Sequence, residues 1–294
     1  MMAAAAYAQQ TSGTGLAELV KQAQKLENDG QRKEAVAEYR QILDKDPKHV
    51  GAHLGIGRVL DIEGQYAEAR RHLQRAIDAA SDKEMNQALS TMAVSYAFEG
   101  NATEAATYYQ RIFDRQIKAG APDSAGGTAN ALGRVYLETG DAANAEKWYR
   151  TGYESATKAD KITPEQKDLT EMRWHHAQAR IAARRRQPDA ARKHVDKVRA
   201  IVDRGKLEES QRIQYPYVAG YVVFYQGDYE RAIAELSKAD PDDPFILSLL
   251  AQAYEQKKDQ AKARELYSKI VTLPDHSLQA AFARPVAQRR LAGK

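Results

Sequence analysis

The apolar and polar positions of this chain repeat one frame seven times. The frame is clearest at Gly30, Ala35, Tyr39 and Ile42, a turn residue followed by three spaced core positions. It returns as Gly64, Ala69, Leu73, Ala76, then as Gly100, Ala105, Tyr109, Ile112. It returns again as Gly140, Ala145, Tyr149, Gly152 and as Gly227, Ala232, Leu236, Ala239. Two copies lack the glycine: Arg186, Ala191, Val195, Val198 and Lys258, Ala263, Tyr267, Ile270. Ahead of the turn stands a second signature, an apolar residue, a small one, and a large apolar residue three further on. It reads Ile56-Gly57 with Leu60, Met92-Ala93 with Tyr96, Leu132-Gly133 with Tyr136, Ala219-Gly220 with Val223, and Leu250-Ala251 with Tyr254. Spacings of three and four place residues on one helical face. Each copy therefore predicts two amphipathic helices joined by a tight turn, closed by a residue in the left-handed conformation that favours glycine.

The turns are separated by 34, 36, 40, 46, 41 and 31 residues. The extra length falls around residues 119–125, 160–171 and 206–212, polar stretches punctuated by Pro122, Pro164 and Gly205. These read as longer helix ends or loops between units. Beyond Pro274, Ser277 is placed to cap a final helix to about Leu291, with Leu278, Ala281 and Phe282 facing the last unit. Pro285 reads as a kink in that helix or a new start.

These residues and their spacing resemble the tetratricopeptide repeat over residues 16–277. Repeats fall near 16–49, 50–83, 86–119, 126–159, 172–205, 213–243 and 244–277, with a C-terminal capping helix and tail at 278–294. The resemblance implies an all-α, right-handed superhelical solenoid of about seven helix-turn-helix repeats. It further implies a non-enzymatic scaffold or adaptor that holds a partner peptide or protein in its concave groove, lined by the first helix of each unit. Mapped onto this sequence, the groove positions are Arg58, Asn130, Arg134, Arg173, His176, Arg180, Arg184, Tyr217 and Tyr221, among others such as Asp61, Ser90 and Val94. Arginines beside an aromatic wall suit an acidic segment, since guanidinium pairs bidentately with carboxylate. An ordinary solvated concave face is the plainer alternative. Asn130 with Arg134 resembles part of the carboxylate clamp of some family members, but the full Lys-Asn-Asn-Lys-Arg set is not reproduced.

Composition narrows the field without changing it. Hydrophobic residues make up 43%, which is too many for general disorder, and they lean on Ala, Leu and Tyr, favouring helix. With no cysteine, disulfides, thiolate nucleophiles and Cys-based zinc sites drop out. No apolar run is long enough to cross a bilayer. The net charge is only +4, yet residues 173–206 alone carry a net +8. That run reads first as a solvated face, then as a surface for an acidic protein; without interleaved aromatics it is a poor nucleic-acid site.

His49 and His53 stand four apart with no third ligand, and His175 and His176 point to different helix faces, so no metal is expected. No nucleophile elbow, phosphate loop, dinucleotide fingerprint or zinc-protease motif occurs, and no cofactor is expected. Residues 1–15 read as a disordered leader. Ala6-x-Ala8 resembles the cleavage site of a secretory signal, although the charged start and apolar stretch are missing. A truncated signal would place the protein in the periplasm or outside the cell; a plain tail leaves it cytoplasmic. A self-assembling envelope scaffold built through Phe282, and a regulatory repeat domain of a larger system, are the alternatives to the adaptor role.

Overall fold

The computed structural model describes residues 2–158 and 162–293, the side chains of residues 2–14 excepted. From Met2 on, the backbone of the leader expected at 1–15 forms the first part of helix α1, and its side chains up to residue 14, those of Ala6 and Ala8 included, lie outside the described ones. The helices run α1 (Met2–Asn28), α2 (Arg32–Lys45), α3 (Val50–Ile62), α4 (Tyr66–Ala79), α5 (Asp82–Phe98), α6 (Ala102–Lys118), α7 (Pro122–Glu138) and α8 (Ala142–Thr157). They continue as α9 (Pro164–Arg184), α10 (Pro188–Val202), the single turn α11 (Glu209–Arg212), α12 (Gln214–Tyr225), α13 (Tyr229–Leu236), α14 (Pro244–Gln256), α15 (Gln260–Thr272) and α16 (Leu278–Leu291). No strand occurs among the described residues. Successive helices pair and stack on the next pair, the arrangement of an all-α solenoid.

The repeated frame explains each pair. Ala35, Ala69, Ala105, Ala145, Ala191, Ala232 and Ala263 are all buried where the second helix meets the first. Tyr39, Tyr109, Tyr149 and Tyr267 are buried too, and for Tyr39 and Tyr149 a glycine in the following or preceding helix makes room. A methyl group on Gly55 would sit 2.2 Å from Cζ of Tyr39, and one on Gly133 would lie 2.8 Å from the ring of Tyr149. Gly57 and Gly220 are under the same constraint from Leu73 and Leu236. The turn residues Gly30, Gly64, Gly100, Gly140 and Gly227 all have positive φ. So do Arg186 (57°) and Lys258 (65°), the two residues that replace glycine. The turn geometry is thus kept where its preferred residue is missing, because packing on both sides fixes it. One residue past the turn, Asn101, Asp141, Asp228 and Asp259 cap the second helix through their side chains.

The insertions resolve into helix. α5, α6 and α7 are each 17 residues long and α9 is 21, while part of 206–212 forms α11. Residues 159–161, inside the expected insertion at 160–171, lie outside the described residues.

The last helix departs from expectation. Ser277 caps α16 through the amide of Ala280, and the helix runs through Pro285 without ending there. It packs on α14 and α15, as a terminal cap would, but also on α5 and α7 near the start of the solenoid. Leu278, Ala280 and Ala281 join the same apolar cluster as Leu89, Met92 and Ala93. Phe282, on which the self-assembly alternative relied, is half-buried and packs against the chain's own core. The segment before α16 is fastened as well. His276 Nε2 lies 2.8 Å from Asp61 Oδ2, and Ser95 donates to the other oxygen at 2.8 Å. The buried Arg284 donates to the carbonyls of Val271 and Leu273, the otherwise unpaired end of α15, and Arg32 donates to Val271 as well. The chain closes on itself, and its concave face is partly filled by its own C-terminus.

Candidate functional site

Closure divides the concave face into two hollows. The first, about 440 Å³, lies between α1, α3, α5 and the 274–276 segment, and Arg58, Ser90 and Val94 line it. Its charge is settled internally. Arg58 forks onto Glu27, Nε to Oε1 at 2.6 Å and Nη2 to Oε2 at 2.7 Å, and Tyr39 donates to the same carboxylate at 2.6 Å. Burial first, and then the field of Glu27, push the Tyr39 phenol well above its usual range, so it stays protonated and keeps donating.

The second hollow, about 640 Å³, is walled by α7, α9 and α12, with α11 and the first turn of α16 at its rim. Asn130, Arg134, Arg173, His176, Arg180 and Tyr217 line it, together with Tyr109, Tyr149 and Met172; Leu278 and Gln279 come from α16. No carboxylate lines this chamber among the described residues. Arg180 is 5% exposed, donates from Nη2 to Tyr149 Oη at 2.8 Å, and stands 3.8 Å from Glu138. Glu138 is shared with Arg184 at 3.2 Å. Arg134 forms no ion pair among the described residues; its guanidinium lies 4.9 Å from the ring centre of Phe245, and its buried Nε and Nη2 have no hydrogen-bond partner. Arg173, exposed at the mouth, is likewise without an ion pair among the described residues. The hydroxyl of Tyr217 and Nε2 of His176 are buried and unpartnered. Burial, reinforced by Arg180 and Arg134, holds His176 well below its ordinary pKa and therefore neutral.

A further acid whose field reaches Arg134 is Asp243, whose Oδ1 accepts from the amides of Phe245 and Ile246 at the start of α14. Burial raises its pKa despite the field of Arg134. Arg134, Arg173, Arg180 and Arg184 are thus set against Glu138 and Asp243. The chamber is left about two positive charges in excess, with donors turned inward and few acceptors. Such a hollow is chemically suited to a bound anion.

Models of the "Tetratricopeptide repeat" family match residues 20–84 and 217–277 in one case and 84–158 in another. The chain belongs to the tetratricopeptide-repeat family. Its fold is similar to that of a tetratricopeptide repeat protein from Parabacteroides merdae, with 14% identity over 95% of this chain and 98% of that one, at a TM-score of 0.57. It is similar to PilW, described as a type IV pilus biogenesis factor, at 12% identity over 76% and 91% and a TM-score of 0.51. It is also similar to pilF of Pseudomonas aeruginosa, at 13% identity over 87% and 98% and a TM-score of 0.50. These likenesses speak to the fold alone. No curated protein matches the chain.

As a tetratricopeptide-repeat protein it has an interaction scaffold's architecture, but not the single open groove expected of its sequence. Asn130, Arg134, Arg173, His176, Arg180 and Tyr217 converge on one chamber. Arg58 stands apart in the other hollow, tied to Glu27, because α16 and its leading segment intervene. Asp61, mapped to the groove, is buried under His276. Arg184 and Tyr221 line neither hollow. Tyr221 is fully buried behind Tyr217, and Arg184 lies between Glu138 and Tyr225. The basic run at 173–206 is also tamer than its count: Arg185 pairs with Glu146, and Arg204 with Asp168 and Glu171. Sequence reading missed Glu138, Asp243 and the α16 residues Leu278 and Gln279. Their place depends on contacts between distant units, which no local spacing announces. A repeat-by-repeat comparison of positions flanking the turn could have found Glu138, two residues before Gly140.

Proposed function

We propose that this protein is a non-enzymatic interaction scaffold that docks an acidic segment of a partner protein in the chamber of Asn130, Arg134, Arg173, His176, Arg180 and Tyr217. The observation that carries this reading is Arg134, a largely buried guanidinium with two nitrogens that have no hydrogen-bond partner among the described residues. Among the described residues no carboxylate reaches ion-pair distance of it, Asp243 acting on it only through its field; a buried ion pair is worth on the order of 3–5 kcal/mol when it is broken, and a partner's carboxylate would complete one here. Arg180 and Arg184 act as framework, holding Glu138, Tyr149 and Tyr225 in place. Arg58 is already neutralised and takes no part. An envelope setting follows only if residues 1–15 are the remnant of a signal; mass spectrometry of the mature N-terminus in the source cell tests that.

The docking role is tested by capture with the tagged full chain from its source cell, beside Arg134→Gln and Arg173→Gln. Both variants are expected to keep their helix content and melting temperature while losing the captured partner. Capture that is indifferent to both substitutions overturns the assignment.

A further inference from the structure

The chamber's charge and donors specify more than acidity. Arg134 Nε and Nη2, Arg180 Nε, the Tyr217 hydroxyl and Nε2 of His176 all lack hydrogen-bond partners among the described residues. Arg180, His176 and Tyr217 are each more than nine-tenths buried, and all line the same hollow. Two guanidiniums, Arg134 and Arg173, have no ion pair among the described residues, while the charge of Arg180 is shared with Glu138. A single carboxylate would leave one of the two free guanidiniums unmatched and would supply two oxygens to the donors. A phosphate monoester carries close to two negative charges at neutral pH and offers three strong acceptor oxygens. Guanidinium forks pair with phosphate oxygens bidentately. The rings of Tyr109, Tyr149 and Tyr217, with Met172, provide apolar wall for the group that bears the ester.

We infer that the chamber is a binding site for a phosphate monoester. This inference rests on the same hollow as the docking role, and narrows its chemistry from an acidic segment to one doubly charged group. The first turn of α16 contributes Leu278 and Gln279 to the wall, so the site is complete only when the chain is closed.

Isothermal titration of the full chain at pH 7.5 with three probes of one shape family tests it. Phenyl phosphate carries two charges, benzenesulfonate is tetrahedral with one, and benzoate is planar with one. Phenyl phosphate should bind at least ~10-fold tighter than either, as expected where two guanidinium forks are engaged. Arg134→Gln and Arg173→Gln should each weaken it by about 10-fold or more. Lys193→Gln, on the exposed face of α10, should leave it unchanged. Equal binding of the three probes, no saturation by millimolar phenyl phosphate, or indifference to Arg134→Gln in a protein with native helix content overturns the site.

A fourth probe, a blocked tripeptide with central phosphotyrosine, separates the sources of the ester. If it binds at least as tightly as phenyl phosphate, the ester is one that a protein segment can carry. If it is excluded while phenyl phosphate binds, the phosphate site stands for a small molecule and the docking reading of this chamber falls. If no phosphate probe binds, yet partner capture still depends on Arg134, the docking reading stands and the phosphate site falls.

Discussion

Arg58 and Arg134 occupy the same place in their repeats, six residues before a left-handed turn at Gly64 and Gly140, and Arg180 does so before Arg186. Their fates differ because of what the preceding unit presents. Three residues before its own turn, the first unit has Glu27, which takes both donors of Arg58. The third unit has Ala97 at that place, and Arg134 faces the hollow with two nitrogens unpaired. The fourth unit has Leu137 there, and Arg180 turns to its neighbour Glu138 at a longer 3.8 Å. One repeat position can therefore serve as a structural clamp or as a ligand-facing charge. A single residue on the adjoining helix decides between them, through the difference between a paired and an unpaired buried ion.

The comparison breaks most visibly if its paired side is undone. Glu27→Ala would leave Arg58 and the Tyr39 hydroxyl without their acceptor, and is expected to cost about 3 kcal/mol, the lower end of the range for breaking a buried pair. Urea unfolding followed by circular dichroism measures it; a loss below ~1 kcal/mol would mean that the pair is effectively solvated.

The second and fifth units share a further feature, which tests whether equivalent positions behave alike. His53 and His72 approach Nδ1 to Nδ1 at 3.0 Å, and so do His175 and His194. Each histidine lies 11 before or 8 after its turn residue. Burial, and for His72 the neighbouring His53, lowers the pKa of His72 to about 4; burial lowers the other three as well. The folded pKa values lie below the unfolded value of about 6.5, so the unfolded chain takes up protons first as pH falls. The stabilisation is full above that value and drains away as pH falls through the folded values, toward pH 4 for His72, where it amounts to roughly 1 kcal/mol or more. His72→Asn should flatten the acid side of the melting curve against pH, and an unchanged profile would count against the pair.

The unpaired side gives a sharper contrast of sign. Arg134→Met removes a guanidinium that forms no ion pair among the described residues, and is expected to leave thermal stability unchanged or raise it by up to ~1 kcal/mol while abolishing ligand binding. A marked loss of stability would show Arg134 to be a packing residue. The smallest effect belongs to the turns. Lys258→Gly relieves a side chain held at positive φ in a turn where five other units use glycine, with an expected gain of about 0.5–1 kcal/mol. A change of the opposite sign in melting temperature would mean that the lysine side chain makes a contact worth more than the strain.

Much of the fold was legible because its interactions are local. The Gly-Ala-Tyr frame is a statement about helices within one unit and its neighbour, and residues a fixed distance apart in sequence meet at a fixed place in space. Tyr39 against Gly55 and Tyr149 against Gly133 are contacts of that kind. The candidate site was legible in part for the same reason: Asn130, Arg134, Arg173, His176, Arg180 and Tyr217 belong to consecutive first helices, and stacking brings consecutive first helices side by side. Separating Arg58 from them required knowing where residues 274–291 go, and Asp61 meets His276 across 215 positions of chain.

The sequence by itself determined the repeating helix pairs, their turns, and the succession of arginines and tyrosines on the inner helices, since each follows from periodicity over a few tens of residues. Only the tertiary structure decided that the solenoid closes on its own α16, that Arg58 is spent on Glu27, and that Arg134 and Arg173 form no ion pair among the described residues. The reason is physical: the net charge of a buried guanidinium's surroundings depends on which side chains distant units bring within a few ångströms, and periodicity carries no information about that.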